Sequence, residues 1–582
     1  MRKILTILLL AFSLSAWGTK YYVDPTGVND AGRNGTIGQE WATPAYACTR
    51  VSSPDTVFIN AGTYNQGSTQ IVKPLGVSIV GAGQGIAIVN TTYTNASSVQ
   101  AALQCASTVG TTVDDNCSIS HFTFTGTNYT SGRAIYIGYR NNINIHHLTV
   151  EGFNYTGIYA NGSDGSTYPD LFLTGIVIQN CTLNDNGSYI GADGYVGSIR
   201  LRGTDGTEVS YNTIKNDGRE ECNSHCISTY RNRRMKIHDN TLYRRDQEVT
   251  LDGTEYWNFF LEEWNYKGGS EYYNNTHYGL AKFSLGGDEN DITDGTEWGY
   301  KVYGNKWYNE SPGLRTFRGE TDTKYCICIE GNNHKDVIIS RNYIQNFAWG
   351  LEISSPSSYP GGFWEQSWII DGVTFEYNVI DGVGFSDFSY GYGIIILAEM
   401  CTYPYYAHYK NIKILNNTIN GENGGSFDGF NGIRCLIEDT LSTLVVRNNI
   451  ITGFTDQAIS IYAQGDSTLL LTGLDITHNN LYNNVINSTY IEASITHPSS
   501  DITTGNITSD PLFVSATNFA LQSGSPCIGA GIDVGLLSDY LGNSIVGLPD
   551  IGAYENQSVG DRALLIGTKL VIINGKATIL SN

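Results

Sequence analysis

The chain has 582 residues with 34 Lys or Arg and 56 Asp or Glu, which gives a formal charge of −22. Such a charge argues against a nucleic-acid partner, because phosphate contacts require Lys and Arg. Aromatic residues make up 12% of the chain, which excludes a disordered protein, and the many Tyr and Gly with few charged residues favour an all-β fold over a helix bundle.

The first 18 residues have the pattern of a secretory signal peptide. Arg2 and Lys3 precede an apolar run at 4–12, and small residues follow as far as Gly18. The run is too short to span a bilayer comfortably. We therefore expect cleavage near Gly18 and export to the extracellular space or the cell surface, with the periplasm as an alternative. No later segment predicts a membrane span.

A six-residue pattern, apolar-x-x-Asn-x-apolar, recurs from the first third of the chain onwards at steps of 28 to 39 residues. The copies start at 145, 178, 209, 237, 272, 302, 339, 375, 414, 446 and 476. Nine of them carry Asn at the fourth position: Asn212, Asn240, Asn275, Asn305, Asn342, Asn378, Asn417, Asn449 and Asn479. Asn tolerates left-handed backbone and bonds to a neighbouring coil, so the pattern predicts a ladder of stacked Asn side chains at one corner.

A second strand signal lies between the Asn motifs, as in GSIRL (197–201), GLEIS (350–354) and AISIY (458–462). Two or three short strands per turn of this length indicate coils that share one continuous core. A β-propeller has a similar period but would show antiparallel hairpins with tight Gly turns. The predicted fold is therefore all-β, a single-stranded right-handed parallel β-helix (solenoid) with an Asn ladder and loop insertions on one side.

Both ends of the chain carry a family resemblance. The start has YYVDPTG (21–27) and DTVFINAGTYN (55–65), and the end has SDPLFV (509–514), FALQSGSPCIGAG (519–531) and LPDIGAYE (548–555). With the repeated motif, these segments resemble secreted right-handed parallel β-helix proteins of the pectin-lyase-like superfamily. The resemblance implies the fold and not one activity, because that superfamily includes lyases, glycoside hydrolases, epimerases, adhesins and tailspikes.

The same features divide the chain into five predicted parts. These are a signal peptide at 1–18, an N-terminal cap with the first coils at 19–110, the main coils at 111–500, a closing segment at 501–556, and a short tail or hairpin at 557–582.

The longest steps between Asn motifs fall at 237–272 and 302–414, and the additional residues are rich in aromatic and acidic side chains. Trp and Tyr on exposed loops commonly stack on sugar rings, although loop packing over the solenoid is the alternative. The predicted substrate-binding residues are Trp257, Trp264, Trp298, Arg315, Trp364 and Tyr403.

Strand alternation predicts which charged side chains point outward from these coils. With Phe259 and Leu261 taken as inward, Phe260 and Glu262 point outward, although a slip of one residue would reverse the assignment. Repeating this for each coil predicts a charged outward row of Glu262, Lys282, Arg318 and Glu352, about 14 Å long at a strand spacing of about 4.8 Å. A solvated face of mutually neutralising charges is the alternative.

Two reactions fit such a row. An inverting hydrolase needs two carboxyl groups about 6.5–9.5 Å apart, which suits Glu262 with Glu320 or Asp322. A lyase needs a base near the sugar α-proton and cations that neutralise the uronate. The predicted catalytic residues are Glu262, Lys267, Lys282, Arg318, Glu320 and Glu352.

The segment FLEEWNYKGGSEYYNNT (260–276) is similar to the Glu-x4-Lys arrangement of the chondroitinase-B-like alginate lyases. The resemblance implies that Glu262 binds calcium and that Lys267 is the base. The coil that follows, 280–288, lacks the Arg that this family places there. Asp288, Asp291 and Asp294 are candidate Ca²⁺ ligands, with a solvated acidic loop as the alternative. No other cofactor is predicted.

The sequence thus predicts a secreted β-helix protein that binds a polysaccharide or other glycan and acts on it as a lyase or glycoside hydrolase. The alternative is a surface or adhesive β-helix that binds glycans without catalysis. The oligomeric state is not predicted.

Overall fold

Short alternating segments of the chain fold into strands that return to the same three sheets once per coil. The computed structural model describes residues 18–94, 100–126, 131–162, 171–187, 197–216, 225–244, 248–251, 254–257, 259–264, 266–279, 281–286, 299–309, 325–330, 333–354, 368–383, 391–398, 407–421, 431–437, 440–463, 471–497, 500–557, 572–573 and 576–577. The expected signal peptide therefore lies almost entirely outside the described residues.

Three long sheets carry the solenoid. Sheet 1 contains Lys20–Val23, Thr56–Ile59, Ser78–Gly81, Val113–Ser120, Arg140–His146, Ile176–Gln179, Glu208–Ser210, Lys236–His238, Ser270–Tyr273, Tyr300–Tyr303, Val337–Ser340, Thr374–Glu376, Ile412–Leu415, Leu444–Arg447 and Leu474–Thr477. Sheet 2 contains Gly62–Gly67, Ala87–Thr91, Thr123–Gly126, Thr149–Glu151, Thr182–Asn184, Thr213–Lys215, Thr241–Tyr243, Thr276–Tyr278, Lys306–Tyr308, Tyr343–Gln345, Val379–Asp381, Thr418–Asn420, Ile450–Thr452 and Asn480–Tyr482. Sheet 3 contains Ile71–Val72, Leu103–Ala106, Ser131–Gly138, Phe153–Asn161, Gly197–Arg202, His225–Tyr230, Phe259–Trp264, Lys282–Gly286, Tyr325–Glu330, Trp349–Ser354, Tyr392–Ala398, Asn431–Ile437, Gln457–Ala463 and Ile486–Ile491.

The remaining described elements are two small parallel sheets, three antiparallel strand pairs and one short helix. Two further parallel sheets join Leu173–Thr174 with Thr204–Asp205, and His334–Lys335 with Trp368–Asp371, Ala407–Lys410 and Thr440–Leu441. Antiparallel pairs join Glu248–Leu251 with Thr254–Trp257, Phe513–Ser515 with Asn518–Leu521, and Ile572–Ile573 with Lys576–Ala577. The one helix of the described residues, Pro44–Cys48, begins after Thr43, whose hydroxyl accepts a hydrogen bond from the Tyr46 amide.

Each coil runs from sheet 1 to sheet 2 to sheet 3, and each strand pairs in parallel with the strand one coil later. This connectivity is a parallel β-helix, wound in the right-handed sense that parallel crossovers adopt. The predicted fold is confirmed, and a propeller of antiparallel blades is excluded. The strand signals GSIRL, GLEIS and AISIY all belong to sheet 3.

The predicted Asn ladder occupies the corner between sheets 1 and 2. From Asn212 to Asn506, each side-chain amide donates to the side-chain oxygen of the Asn one coil later, at 2.9 to 3.2 Å. Each also donates to a backbone carbonyl, as Asn305 does to Tyr272 at 3.0 Å. The ladder therefore satisfies buried backbone groups at a turn where strand pairing is interrupted.

The left-handed residue of this corner is the one before each ladder Asn, not the Asn itself. These residues have φ between 52° and 66° in the nine coils with the motif, and they include Tyr211, Arg341, Tyr377 and His478 as well as Asn. The ladder positions thus select Asn for its two-sided hydrogen bonding and not for its tolerance of left-handed backbone.

The interior of the solenoid is filled by the inward residues of all three sheets, such as Ile227, Leu261, Phe283 and Leu351, which are fully buried. The nine described cysteines are buried with free thiols. Among the described residues, no helix has the length and apolar character needed to cross a membrane.

The closing segment packs along the ladder corner of the last coils. Arg341 donates to the Asp539 carbonyl at 2.8 Å, Asn416 donates to the Asp550 carbonyl at 3.1 Å, and Asn448 donates to the Ile532 carbonyl at 2.8 Å. These three residues are the left-handed corner residues of different coils. The segment therefore joins several coils that are far apart in the sequence.

Long connections of the main coils precede or follow strands of sheet 3 in the chain. The turn between sheets 1 and 2 has two residues in each coil of the ladder. By contrast, residues 309–324 and 421–430 join sheet 2 to sheet 3, and residues 287–299 and 464–473 join sheet 3 to sheet 1. Most of these residues lie outside the described ranges, so the placement of the insertions on one side of the solenoid stays a prediction.

Candidate active site on sheet 3

The sheet 3 face is formed by the outward side chains of the strands from Gly197–Arg202 to Trp349–Ser354. One row of this face is set directly by strand pairing, and its members in coil order are Arg200, Ser228, Glu262, Ser284, Cys328 and Glu352. A parallel row two residues later contains Arg202, Tyr230, Trp264, Gly286, Glu330 and Ser354. Glu262 and Glu352 therefore lie about 14 Å apart, three strand spacings of about 4.8 Å.

A β-bulge in Phe259–Trp264 changes the predicted register. Phe259 pairs with Lys282, while Leu261 pairs with Phe283, so the first strand has one additional residue. Phe260 is consequently buried in the core beside the His277 ring, and Phe259 lies near Lys282. The prediction that Phe260 points outward and Phe259 inward is wrong because strict alternation does not hold across a bulge.

The predicted charged row also changes in composition. Glu262 stands opposite Ser284, not Lys282, and the strand between Lys282–Gly286 and Trp349–Ser354 is Tyr325–Glu330. The coil therefore contributes Cys328 and Glu330 to the sheet 3 face at the place where the sequence analysis expected Arg318. Arg318 itself lies outside the described residues.

Glu330 is held ionised by a cation and a hydroxyl. Its Oε1 lies 3.2 Å from Lys282 Nζ and accepts a hydrogen bond from Ser284 Oγ at 2.6 Å. Burial acts to raise the pKa of Glu330, but the Lys282 ammonium and the Ser284 hydroxyl outweigh it and hold the pKa below its ordinary value. The carboxyl group is thus a carboxylate at neutral pH.

Glu352, by contrast with Glu330, has a raised pKa. Its side chain is buried, and its Oε2 has no hydrogen-bond partner. Burial raises the pKa of Glu352 to about 7, with the Glu330 charge adding to the rise and Lys282 opposing it. A carboxyl group with this pKa holds a proton near neutral pH and can donate it.

Glu330 and Glu352 come from adjacent strands. Glu352 pairs with Cys328, and Glu330 pairs with Ser354, so the two glutamates are offset by one strand and two residues. Their Cα atoms lie roughly 8 Å apart, from a spacing of about 4.8 Å between strands and a rise of about 3.3 Å per residue. Two carboxyl groups whose environments separate their pKa values are the arrangement that acid–base chemistry requires.

Glu262 faces a different partner. Its Oε2 lies 3.3 Å from His225 Nε2, and the His225 ring packs edge-on against Phe259 at 4.8 Å. Both side chains are nearly buried. Glu262 and the adjacent Glu263 point to opposite sides of the strand, and Glu263 is fully buried.

An aromatic surface borders the carboxyl groups. Trp264 lies in the row of Glu330, between Tyr230 and Gly286. A Cβ atom on Gly286 would come within 2.9 Å of the Trp264 ring, so glycine allows the indole to lie over the next strand. Arg202 stacks on the Tyr230 ring at 4.9 Å. Aromatic faces bordered by guanidinium groups suit the apolar faces and hydroxyls of sugars.

Lys267 does not lie in either row. It follows the end of the Phe259–Trp264 strand in the turn towards sheet 1, where its backbone amide donates to the Asn232 carbonyl. Its side chain is 6% exposed. The described partners near Glu262 are an imidazole nitrogen and serine hydroxyls, which do not form the set of oxygens that Ca²⁺ takes. The implied calcium site therefore does not fit the described residues around Glu262.

Several predicted residues cannot be placed. These residues lie outside the described ranges: Trp298, Arg315, Arg318, Glu320, Trp364, Tyr403, Asp288, Asp291 and Asp294. Trp257 ends the Thr254–Trp257 strand of the hairpin that precedes Phe259–Trp264.

Sequence reasoning missed Glu330 and His225. The segment YCICIE (325–330) reads as a strand, and alternation from its inward Ile residues would have turned Glu330 outward. Nothing local marks His225, because it meets Glu262 only after a connection of more than thirty residues.

Comparisons with solved structures find similar folds at low sequence identity. The Agl-KA catalytic domain matches with a TM-score of 0.42 and 16% identity over 69% of this chain, and the chain covers 65% of that domain. An alginate lyase from Paenibacillus sp. str. FPU-7 has a TM-score of 0.35 and 13% identity, covering 51% of this chain and 91% of that one. PfbA, a surface adhesin of Streptococcus pneumoniae, has a TM-score of 0.41 and 11% identity, covering 71% and 85%.

No protein-family model and no curated protein matches the chain. At these identities and TM-scores, the structural matches assign neither an activity nor a residue.

Proposed function

We propose that the protein is a carbohydrate-active enzyme that hydrolyses a glycosidic bond of a polysaccharide on the sheet 3 face. The observation that carries the proposal is the pair Glu330 and Glu352, one ionised beside Lys282 and one protonated near neutral pH. Hydrolysis with inversion uses this combination of a protonated acid and an ionised base, with a water molecule between the base and the sugar.

The roles follow from the protonation states. Glu352 donates its proton to the glycosidic oxygen, whose bond to the anomeric carbon breaks. Glu330 accepts a proton from the water molecule whose oxygen bonds to that carbon. Lys282 and Ser284 keep Glu330 ionised until that transfer. The two proton transfers balance over one turnover, and proton exchange with solvent resets the pair.

Elimination on the same face is supported less well. It requires a cation free to neutralise a uronate carboxylate, and Lys282 already pairs with Glu330. We therefore infer that the reaction is hydrolysis, and the experiment below distinguishes it from elimination by the products.

The experiment is incubation of the purified chain with a panel of neutral and uronic polysaccharides. Hydrolysis predicts new reducing ends without an ultraviolet-absorbing double bond. Glu352→Gln and Glu330→Gln should each abolish nearly all product, whereas Glu376→Gln, which removes a carboxyl group on sheet 1, should not. A double bond in the product would overturn hydrolysis in favour of elimination.

A second candidate is glycan binding without catalysis. Cation–π pairs continue along sheet 3 on both sides of the carboxyl groups, with Arg200 over Tyr159 at 5.0 Å and Arg434 over Tyr462 at 4.9 Å. Such a face can hold an extended polymer. Retained binding with no product from any polysaccharide would favour this candidate and sink the enzyme proposal.

We also propose that the protein is exported, with the first 18 residues as its signal peptide. The support is the pattern of Arg2, Lys3 and the apolar run at 4–12. N-terminal sequencing of the protein recovered outside the cytoplasm should give a chain that begins near Thr19. An intact Met1 in that fraction would contradict the proposal.

A further inference from the structure

Three histidines meet at the ladder corner of two early coils, far along the solenoid from the carboxyl groups. His121 and His147 each follow a sheet 1 strand, and His146 ends the second of these strands. One ring nitrogen from each of the three lies within 4.8 Å of the other two. Among the described residues, this is the one such group of His, Cys, Asp and Glu side chains.

Strand pairing produces this arrangement. The Val113–Ser120 and Arg140–His146 strands pair in parallel up to their ends, where Ser120 is opposite His146, so the turns that follow them stack. His121 and His147 both have left-handed backbone, at φ of 61° and 51°, and their rings stack at 4.9 Å between centroids. The His146 ring stands nearly perpendicular to both.

The hydrogen bonds around these rings indicate which ring nitrogens carry a lone pair. His146 Nε2 lies 3.0 Å from Ser118 Oγ, and His146 Nδ1 lies 3.0 Å from His147 Nδ1. With Nε2 donating to the serine, Nδ1 of His146 carries a lone pair that accepts the proton of His147 Nδ1. A metal-ligating imidazole usually donates its other N–H to an oxygen that fixes the tautomer, and Ser118 Oγ is that oxygen for His146.

His121 supplies the second observation. Its Nδ1 is buried without a hydrogen-bond partner, which is costly for an imidazole unless something binds there. Neutral imidazole, with one ring nitrogen free of a proton, is the form that binds metals.

We propose that His121, His146 and His147 bind a divalent transition-metal ion such as Zn²⁺. Tetrahedral Zn²⁺ takes nitrogens at about 2.0–2.1 Å, so its ligand atoms lie about 3.3 Å from one another. The three ring nitrogens lie within 4.8 Å of one another, so the rings must turn towards a common centre when the ion binds. The ion displaces the proton shared by His146 and His147 to solvent. The exposed edge of His147 leaves the fourth position open to water or to another ligand.

The chain offers matched variants. Asn occupies the same left-handed corner position in the coil after His147, as Asn180 at φ 53°, so His121→Asn and His147→Asn keep the backbone conformation. His478→Asn makes the same change at the same position of a late coil, where no such cluster forms among the described residues.

The test is titration of the untagged full chain with ZnCl₂ by calorimetry, with the visible spectrum of Co²⁺ as a second readout. The wild type and His478→Asn should bind one Zn²⁺ per chain at micromolar concentration and give the intense bands of tetrahedral Co²⁺. His121→Asn and His147→Asn should bind about tenfold more weakly or worse and lose the bands, and Ser118→Ala should weaken binding without abolishing it.

Unchanged binding by the two corner variants, or no binding by the wild type up to millimolar Zn²⁺, would overturn the proposal. The circular dichroism of each variant distinguishes loss of the site from loss of the fold. The outcome is independent of the polysaccharide experiment, because none of the three histidines lies on sheet 3.

Discussion

At the scale of single residues, Glu330 and Glu352 show how one face gives two identical side chains different protonation states. Lys282 contacts Glu330 directly, whereas Glu352 is buried with one oxygen unpaired. The difference in pKa comes from position and not from residue type, because the two glutamates are offset by one strand and two residues along it. The same argument separates the outward Glu262 from the fully buried Glu263 next to it.

The pH dependence of the proposed hydrolysis follows from this pair. The pKa of Glu352, about 7, means that the proton donor is lost as the pH rises through neutrality. The lowered pKa of Glu330 means that the base is lost only in acid. We expect kcat/KM to fall on the alkaline side with a midpoint near pH 7 and to stay level towards mildly acidic pH. An activity that instead increases through pH 7 would contradict these roles.

Glu263 predicts a pH dependence of stability. Burial raises the pKa of Glu263 to about 8, with the Glu262 charge adding to the rise, against 4.5 in an unfolded chain. Between these values the folded state binds more protons than the unfolded state, so the free energy of unfolding falls as the pH rises from about 4.5 to about 8. Each pKa unit corresponds to about 1.4 kcal/mol.

Glu263→Gln removes this titration, so its free energy of unfolding should decline less between pH 5 and 8 than that of the wild type. Urea denaturation at several pH values measures the slope. Glu151→Gln, at a partly exposed carboxyl group on sheet 2, serves as the control and should keep the wild-type slope. Parallel slopes for all three proteins would show that Glu263 is not the titrating group.

At the scale of elements, the two-residue corner between sheets 1 and 2 can be predicted from the sequence, whereas the bulge in Phe259–Trp264 cannot. The corner repeats in every coil of the ladder, so its Asn signal is visible in the sequence. The bulge at Phe259 to Leu261 is one of several register shifts that do not repeat from coil to coil, and it carries no Gly or Pro that would reveal it. A one-residue change of register then moves Lys282 beside Phe259 and Glu330, away from the partner that alternation predicts.

The ladder itself is testable at Asn305. This side chain donates to Asn342 and to the Tyr272 carbonyl, and it accepts bonds from the backbone and side chain of Asn275. Asn305→Ala leaves these buried groups unpaired, at about 1–3 kcal/mol for each that finds no water. We expect a clear fall in the urea midpoint and faster amide exchange in the adjacent coils.

The matched control is Asn90→Ala, which removes a more exposed Asn whose side chain donates to Asn65 on sheet 2. It should change the stability by no more than about 0.5 kcal/mol. Equal losses for the two variants would mean that the ladder contributes no more than a surface amide.

At the scale of the whole molecule, the closing segment fastens the late coils. Its fold depends on Asp539, a fully buried carboxylate that accepts hydrogen bonds from the amides of Leu541, Asn543 and Glu555 at 2.7 to 3.0 Å. The carbonyl of the same residue accepts the Arg341 bond. One aspartate therefore connects the geometry of the segment to a corner of the solenoid.

Asp539→Asn should loosen this segment. The amide cannot accept all of these bonds and places an N–H group among donors, which costs on the order of 1–3 kcal/mol or more. We expect faster proteolysis and amide exchange within 509–557, with sheet 3 activity kept. Asp533→Asn, at an exposed carboxylate bonded to the Gly535 amide, should leave both rates unchanged. An equal effect of both variants would contradict the anchoring role.

The sequence by itself determined the parallel β-helix and its Asn ladder. These features repeat, and a signal that recurs every coil is readable without knowing which residues touch. It also indicated an outward position for Glu262, Lys282 and Glu352.

Only the tertiary structure decided which side chains meet. Glu330 contacts Lys282, a residue 48 positions earlier in the chain. His225 contacts Glu262 although a hairpin separates their strands. Three histidines come together because two turns stack. Contacts between coils depend on register, and register depends on bulges and connection lengths that one strand does not encode. The repeat therefore predicts the coils, whereas the contacts of the candidate site depend on features that do not repeat, such as the bulge at Phe259 to Leu261.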